Sequence, residues 1–444
     1  MSESVDLVIR GGECVTPAGV ERTDVGVRAG RIAAIGDLGR APAAAVLEAV
    51  GLHVLPGAID TQVHFREPGN EHKENLDTGT RAAILGGITA VFEMPNTSPP
   101  TTTAAALNDK LARASGRAWC NYAFYAGATV DNAPTLAELE RTPGCCGVKI
   151  FMGSSTGNLL VPDDAAVLSV LRSGMRRVAV HSEDEERLRE RRGIAERAGD
   201  PHAHPEWRDV ETALRATTRL VALARQAGRR VHVLHVTSAE EIAFLGANKD
   251  IASVEVTPQH LTLAAPDCYD RLGTLAQMNP PIRDARHRAA LWAGVANGIV
   301  DVIGSDHAPH TREEKARRYP ESPSGMPGVQ TLLPLLLDHA AAGRLSLLRV
   351  VDLVAGSPAR LFGLAAKGRI AVGYDADFSI VDLKARRTIT DAWIASKCGW
   401  TPFNGDTVTG WPKATVIAGV PVMRDDEVLG APAGQPLRFF EAWK

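Results

Sequence analysis

The fold class predicted by the sequence is an α/β (β/α)8 TIM barrel joined to a small β-sandwich that draws on both chain ends. Three observations predict it. About eight apolar, β-rich runs alternate with helix-length segments through the middle of the chain, the grammar of a parallel barrel. Short β runs punctuated by glycine open the chain and recur at its end. At 444 residues the chain is too long for one ordinary domain, and a large barrel with a smaller attachment accounts for the length.

In order, DLVIRGG, CVTPAGV and VGVRAGRIAAIGD fill the stretch from Val5 to Gly36 and read as a small antiparallel sheet. The Ala-rich stretch from Arg40 to Val50 reads as a linker or a strand edge. The barrel runs are HVLPGAID, ITAVFEM, NYAFYAGA, CGVKIFM, RRVAV, RVHVLHV, ASVEVT and VDVIGSD. Helices are expected over Asn75 to Leu85, Thr101 to Ser115, Pro162 to Arg172, Glu206 to Ala227, Ala239 to Leu245 and Arg283 to Ala296. After Lys367 the β grammar returns in GRIAVGYDADFSIVD, ATVIAGVPVM and EVLG. The expected division is a composite β domain from 1–54 and 366–444 around a catalytic barrel at 55–365.

With 49 basic and 52 acidic residues the formal charge is -3, which suggests neither nucleic acid nor a membrane surface as a partner. No apolar run approaches the ~20 residues of a membrane span, and the start MSESVD lacks a charged n-region and an apolar h-region. A cytoplasmic protein is expected. Cys14, Cys120, Cys145, Cys146, Cys268 and Cys398 are scattered without a CxxC pair and read as reduced core residues.

In such a barrel the functional groups follow the C-terminal ends of the strands. After the first run come Gln62, His64 and Arg66; after the second, Asn96. The fourth carries Lys149, the fifth ends in His181, the sixth in His235, and the eighth leads to Asp306 and His310. His64, His181, His235 and Asp306 are the types that hold a catalytic zinc and leave a position open for water. A lone strand histidine is more often a hydrogen-bonded core residue; four at four strand ends reverse that balance. His53, His72, His202, His204, His232, His260, His287, His307 and His339 keep the core or surface reading. His232 precedes His235 by three residues and should face the opposite way. Lys149 leaves two readings: a structural cation pointing away, or a carbamate formed with carbon dioxide that could bridge two metals.

VLPGAIDTQVHFREPG, EMPNTSP, GVKIFMGSSTG, VHSED, EVTPQHL, MNPPIR, GSDHAPH, SPSGMPGVQ and the tail GSPARLFGLAAKGRIAVGYDADFSIVD together resemble the cyclic amidohydrolases of the amidohydrolase superfamily, most closely class I dihydroorotases. The resemblance covers nearly the whole chain. It implies zinc, one or two ions, held by His64, Lys149 as its carbamate, His181, His235 and Asp306. It further implies Asp306 as the proton carrier, Arg66, Asn96 and His310 at a substrate carboxylate, and Asn279 at the ring amide. A guanidinium suits a planar carboxylate because it donates two parallel hydrogen bonds. The loop GSSTGNLLV is either a gate or an ordinary connection.

The family writes its first motif Asp-x-His-x-His, whereas this chain has Gln62 where the first histidine belongs. An amide oxygen is a poorer ligand, so a mononuclear centre, or a binuclear one held partly by Gln62, is expected. Gln259 and Gln330 also depart from the pattern. The leading expectation is a dihydroorotase, cyclising carbamoyl aspartate to dihydroorotate in pyrimidine biosynthesis, with a small-molecule substrate and a homo-oligomeric state. The alternatives are a hydantoinase or allantoinase type and a non-catalytic partner of aspartate carbamoyltransferase.

Overall fold

The computed structural model describes residues 4–39, 42–155 and 159–440. Eight parallel strands follow one another around a barrel in chain order: Ala58–Val63, Ile88–Glu93, Asn121–Gly127, Cys145–Phe151, Val178–His181, Val231–Val233, Ala252–Val256 and Val302–Ile303. The ring closes where Val63 bridges to His307 and the His64 N–H donates to the His307 carbonyl at 2.7 Å. Ile59, Phe92, Ala123, Tyr125 and Ala179 fill the interior with Phe362 and Leu437. Val91, Phe124, Val148, Ile150, Val180 and Val233 join the larger core shared with the helices. Strands buried on both faces explain why these segments read as continuous apolar runs.

The helices expected from the sequence are present, each started by a side chain that accepts a backbone N–H. Asn75 caps Leu76–Leu85, Thr103 caps Ala104–Ala114, Asp163 caps Asp164–Arg172, Ser238 caps Ala239–Gly246 and Asp284 caps Ala285–Ala296. The expected helix from Glu206 is broken: His204–Trp207 is a separate turn, and Asp209 caps the main helix Val210–Ala227. Glu185–Ala198 is a helix that periodicity did not reveal, because EERLRERRGIAERA carries almost no apolar stripe.

Nine strands from the two ends form the second sheet: Val5–Thr16, Gly19–Arg28, Arg31–Gly36, Ala43–Glu48, His53–Pro56, Phe378–Thr388, Thr407–Ile417, Val420–Arg424 and Glu427–Val428. Ile9, Val25, Val27, Ile32, Phe378, Ile380 and Val416 form its core. The Ala-rich stretch is an edge strand, paired in parallel with Val5–Thr16. The run HVLPGAID is corrected from one barrel strand to two. His53–Pro56 pairs with Phe378–Val381 of the terminal sheet, and Ala58 begins the barrel. Gly57 makes the crossing: a Cβ there would lie 2.3 Å from Thr89 Oγ1. All six cysteines are free and buried. Among the described residues no helix is long and apolar enough to cross a membrane.

Candidate active site

At the C-terminal ends of the strands, Gln62, His64, Arg66, Asn96, Lys149, His181, His235, Asn279 and Asp306 line one cavity of about 20 Å³, together with Phe151, Ser155, Ala308, Ser324 and Gly325. That space suits an ion or a water molecule. Ser155, Asn279 and Ser324 also line a neighbouring vestibule of about 350 Å³, so they form the wall between the two. His310 stands behind, its Nε2 3.2 Å from the Arg66 guanidinium. Thr156, Gly157 and Asn158 of the GSSTGNLLV loop lie outside the described residues.

Three lining residues, Arg66 (φ 63), His235 (φ 38) and Asp306 (φ 45), have left-handed backbones. Non-glycine residues rarely adopt that conformation, and it re-aims a side chain just past a strand end. The sixth strand stops at Val233, so strand alternation does not place His235. His232 still faces elsewhere, bonded to Ser253 and Glu255. Lys149 faces the cavity because Val148 and Ile150 on either side pack outward.

On one wall, His181 Nε2 donates to Glu183 at 2.9 Å, and Arg208 grips the same carboxylate at 2.5 Å. Burial alone would raise the Glu183 carboxyl, but Arg208 and His181 outweigh it and hold it well below the usual range. With its Nε2 proton committed, His181 turns the Nδ1 lone pair to His235 Nε2, 3.0 Å away. Burial lowers the pKa of both rings and keeps them neutral at pH 7.

On the facing wall, His64 Nδ1 lies 2.8 Å from Asn96 Oδ1, which accepts its proton. The Nε2 lone pair then faces Asp306 Oδ1 at 3.2 Å, and burial keeps this ring neutral too. Two bare acceptors at that distance repel unless a cation joins them. Gln62 Nε2 donates to the same Asp306 oxygen at 2.9 Å. Burial would raise the Asp306 carboxyl, but the surrounding histidines His64, His235 and His181 outweigh burial and hold it well below its ordinary value.

The donor chemistry fits a cation. Among the described residues no three His, Cys, Asp or Glu side chains form a ready-made cage; the neutral imidazoles and Asp306 face one another in pairs instead. Gln62 Oε1, Lys149 Nζ and His235 Nδ1 are buried with no hydrogen-bond partner, which is the signature of a site built around something further. Burial pushes the Lys149 amine well below its usual pKa, against weaker pulls from Asp306 and Glu255. A neutral amine is the form that adds carbon dioxide. Arg66 is also buried, lowered to about 10 chiefly by burial and so still charged at neutral pH. Among the described residues its guanidinium has no carboxylate partner; it donates to the Pro309 carbonyl at 3.2 Å.

Sequence reasoning passed over Glu183, Arg208 and the wall residues Ser155 and Ser324, and read His204 only as a core or surface histidine. The signal for Glu183 was there, since HSED places a carboxylate two residues past His181. For Arg208 and His204 there was none, because their partners lie far along the chain. Gln259 and Gln330 bind backbone, through Ser305 and through Trp393 and Ala395 respectively.

Comparison with known proteins agrees with this architecture. The amidohydrolase family model matches residues 53–422. A dihydroorotase of Halobacterium salinarum is 40% identical over 84% of this chain and 87% of its own length. An allantoinase of Deinococcus radiodurans is 35% identical over 98% of this chain and 99% of its own. Among solved structures, the L-hydantoinase of Arthrobacter aurescens superimposes with a TM-score of 0.93 at 29% identity, covering 98% of this chain and 99% of that one. With the matched span, the shared barrel and terminal sheet, and a dihydroorotase, an allantoinase and a hydantoinase as relatives, the chain belongs to the amidohydrolase family.

Proposed function

We propose that this cyclic amidohydrolase is a dihydroorotase, interconverting carbamoyl aspartate and dihydroorotate. The observation that carries the reading is Arg66, a buried, charged guanidinium at the cavity with no carboxylate in ion-pair contact among the described residues. A buried unpaired cation is costly, and a ring substrate bearing a carboxylate supplies the missing partner. His310 and the Pro309 carbonyl hold the guanidinium in place. Asn96, bonded to His64, lines the same cavity.

His64, Lys149 as its carbamate, His181, His235 and Asp306, with Gln62 as a weak sixth donor, would hold one or two zinc ions. When bound, the metal would supply Lewis acidity toward the scissile carbonyl and lower the pKa of water. Asp306, kept ionised, accepts the proton of the attacking water and delivers it to the ring nitrogen as the C–N bond breaks. In the reverse direction the ureido nitrogen gives that proton to Asp306 as it attacks the protonated side-chain carboxyl, and the departing hydroxyl takes the proton and leaves as water. A ring needs more room than about 20 Å³, and the neighbouring vestibule of about 350 Å³, across the wall of Ser155, Asn279 and Ser324, supplies the approach.

A second reading, an allantoinase or hydantoinase type, has support in the near full-length match to the Deinococcus protein. A substrate panel with zinc and bicarbonate present separates the two. Dihydroorotate should be the best substrate among dihydroorotate, hydantoin, dihydrouracil and allantoin. Preference for an uncharged ring would overturn the dihydroorotase reading, and inactivity on all four would favour a non-catalytic partner role.

A further inference from the structure

Asn279 lies in the wall shared by the cavity and the vestibule. Its amide has a donor end and an acceptor end, and the end that faces inward decides whether the site binds a carbonyl oxygen or an N–H. Behind it lies His204, fully buried at 0% exposure. His204 Nε2 is 3.0 Å from Asn279 Oδ1 and 3.0 Å from the Met278 carbonyl, while Nδ1 is 3.1 Å from the Tyr319 hydroxyl.

One proton assignment satisfies all four groups. The Met278 carbonyl only accepts, so Nε2 carries the hydrogen and shares it between Met278 and Asn279 Oδ1. Nδ1 then accepts from the Tyr319 hydroxyl. Turning the Asn279 amide over would set its NH2 against the Nε2–H, donor against donor, and the backbone carbonyl prevents the ring from changing tautomer to accommodate it. Burial, aided by Arg208, lowers His204 to about 3, so the ring is neutral at working pH. The loop cannot slide to relieve the constraint: His260 Nε2 donates to the Pro280 carbonyl at 3.1 Å and the Tyr269 hydroxyl donates to the Ile282 carbonyl at 3.2 Å. Asn279 Nδ2 faces the cavity side, where its partner is a long 3.3 Å contact to Ser155 Oγ that a ligand oxygen can replace.

We infer that His204 is a positioning residue that turns the Asn279 amide donor-first into the cavity, so that the site recognises a ring carbonyl oxygen rather than a ring N–H. The inference rests on the cyclic-amide reading but not on the choice among rings, since all of them carry such an oxygen. Losing one such hydrogen bond and misdirecting the amide corresponds to roughly 10-fold in affinity.

The test uses the full chain with zinc, assayed on whichever panel substrate it turns over best and on that ring's thiocarbonyl analogue, a weak acceptor. His204→Leu should raise KM about 10-fold with kcat within about 3-fold, and should lose the preference for the oxo ring over the thio ring. Asn279→Asp, which removes the donor, should behave the same way. His204→Gln, whose amide N–H reaches where Nε2 was, should restore KM to within about 3-fold of the parent. An unchanged KM in His204→Leu, or no rescue by Gln, would overturn the inference. If His204→Leu does not fold, His204→Asn, too short to reach Asn279, takes its place with the same expectation. Nitrogen-15 spectra of histidine-labelled protein, with His204→Gln identifying the resonance, read the tautomer without turnover. A proton on Nδ1 would overturn the inference even if every panel substrate proved inert, an outcome that by itself counts only against the functional reading.

Discussion

The two facing walls of the cavity are built on different principles. The His181 wall is braced from behind: Arg208 fixes Glu183, Glu183 fixes His181, and His181 meets His235. The His64 wall is held from within: His64 and Gln62 both contact Asp306 Oδ1, so its possible ligands are bonded to one another. The braced wall keeps His181 aimed whether or not anything is bound, because the chain from Arg208 through Glu183 reaches its far nitrogen, Nε2, and leaves Nδ1 to face His235. A wall held from within must exchange partners when a ligand arrives. One side is thereby preorganised, and the other is set to respond to occupancy.

The largest effect should come from removing the brace. Arg208→Leu leaves the fully buried Glu183 carboxylate without its cation, and a charge orphaned in this way destabilises by about 3–5 kcal/mol. Denaturant unfolding should show this loss, together with weaker zinc binding in equilibrium dialysis. Stability within 1 kcal/mol of the parent would mean that the wall is not braced in the manner described.

Next in size is Arg66→Met, beside the other wall. A charged hydrogen bond contributes about 1.5–3 kcal/mol, so kcat/KM for dihydroorotate should fall by roughly 10- to 150-fold. Hydrolysis of an uncharged hydantoin should stay within about 3-fold. An equal loss on both rings would take Arg66 away from the substrate carboxylate and return it to a structural role.

The smallest expected effect is at Gln62, and it sharpens the contrast most directly. Gln62→His replaces an amide that donates to Asp306 with an imidazole able to present a lone pair. Zinc bound per chain, counted by mass spectrometry, should rise toward two, or the weaker affinity should tighten by about 10-fold. No change in either would mean that Gln62 already serves as a donor or that its wall does not limit occupancy.

Much of this was legible in the chain. Strands buried on both faces have to be written as apolar runs, so the eight of them could be read without a partner in view. Apart from the broken segment at Glu206, helix starts were legible to within about three residues because their caps are local. The ends of the strands were not. Val231–Val233 and Val302–Ile303 are far shorter than the runs RVHVLHV and VDVIGSD, because the chain turns through left-handed, non-glycine residues at His235 and Asp306. HVLPGAID misled for a similar reason: it is a single apolar run, but Gly57 hands the chain from one sheet to another.

By itself the sequence determined the inventory: a barrel, a terminal sheet, and eight polar residues at strand ends that share one cavity, with His310 behind them. Those features follow from periodicity and from the rule that parallel strands end on one face of a barrel, which makes them properties of local order. What each side chain presents to the cavity was decided only by tertiary structure. Glu183 and Arg208 select the nitrogen that His181 offers, Asn96 selects the one His64 offers, and the Met278 carbonyl selects, through His204, the end of Asn279 that faces inward. Apart from Glu183, which neighbours its own histidine, these partners lie tens of residues away along the chain, and no local pattern carries that information.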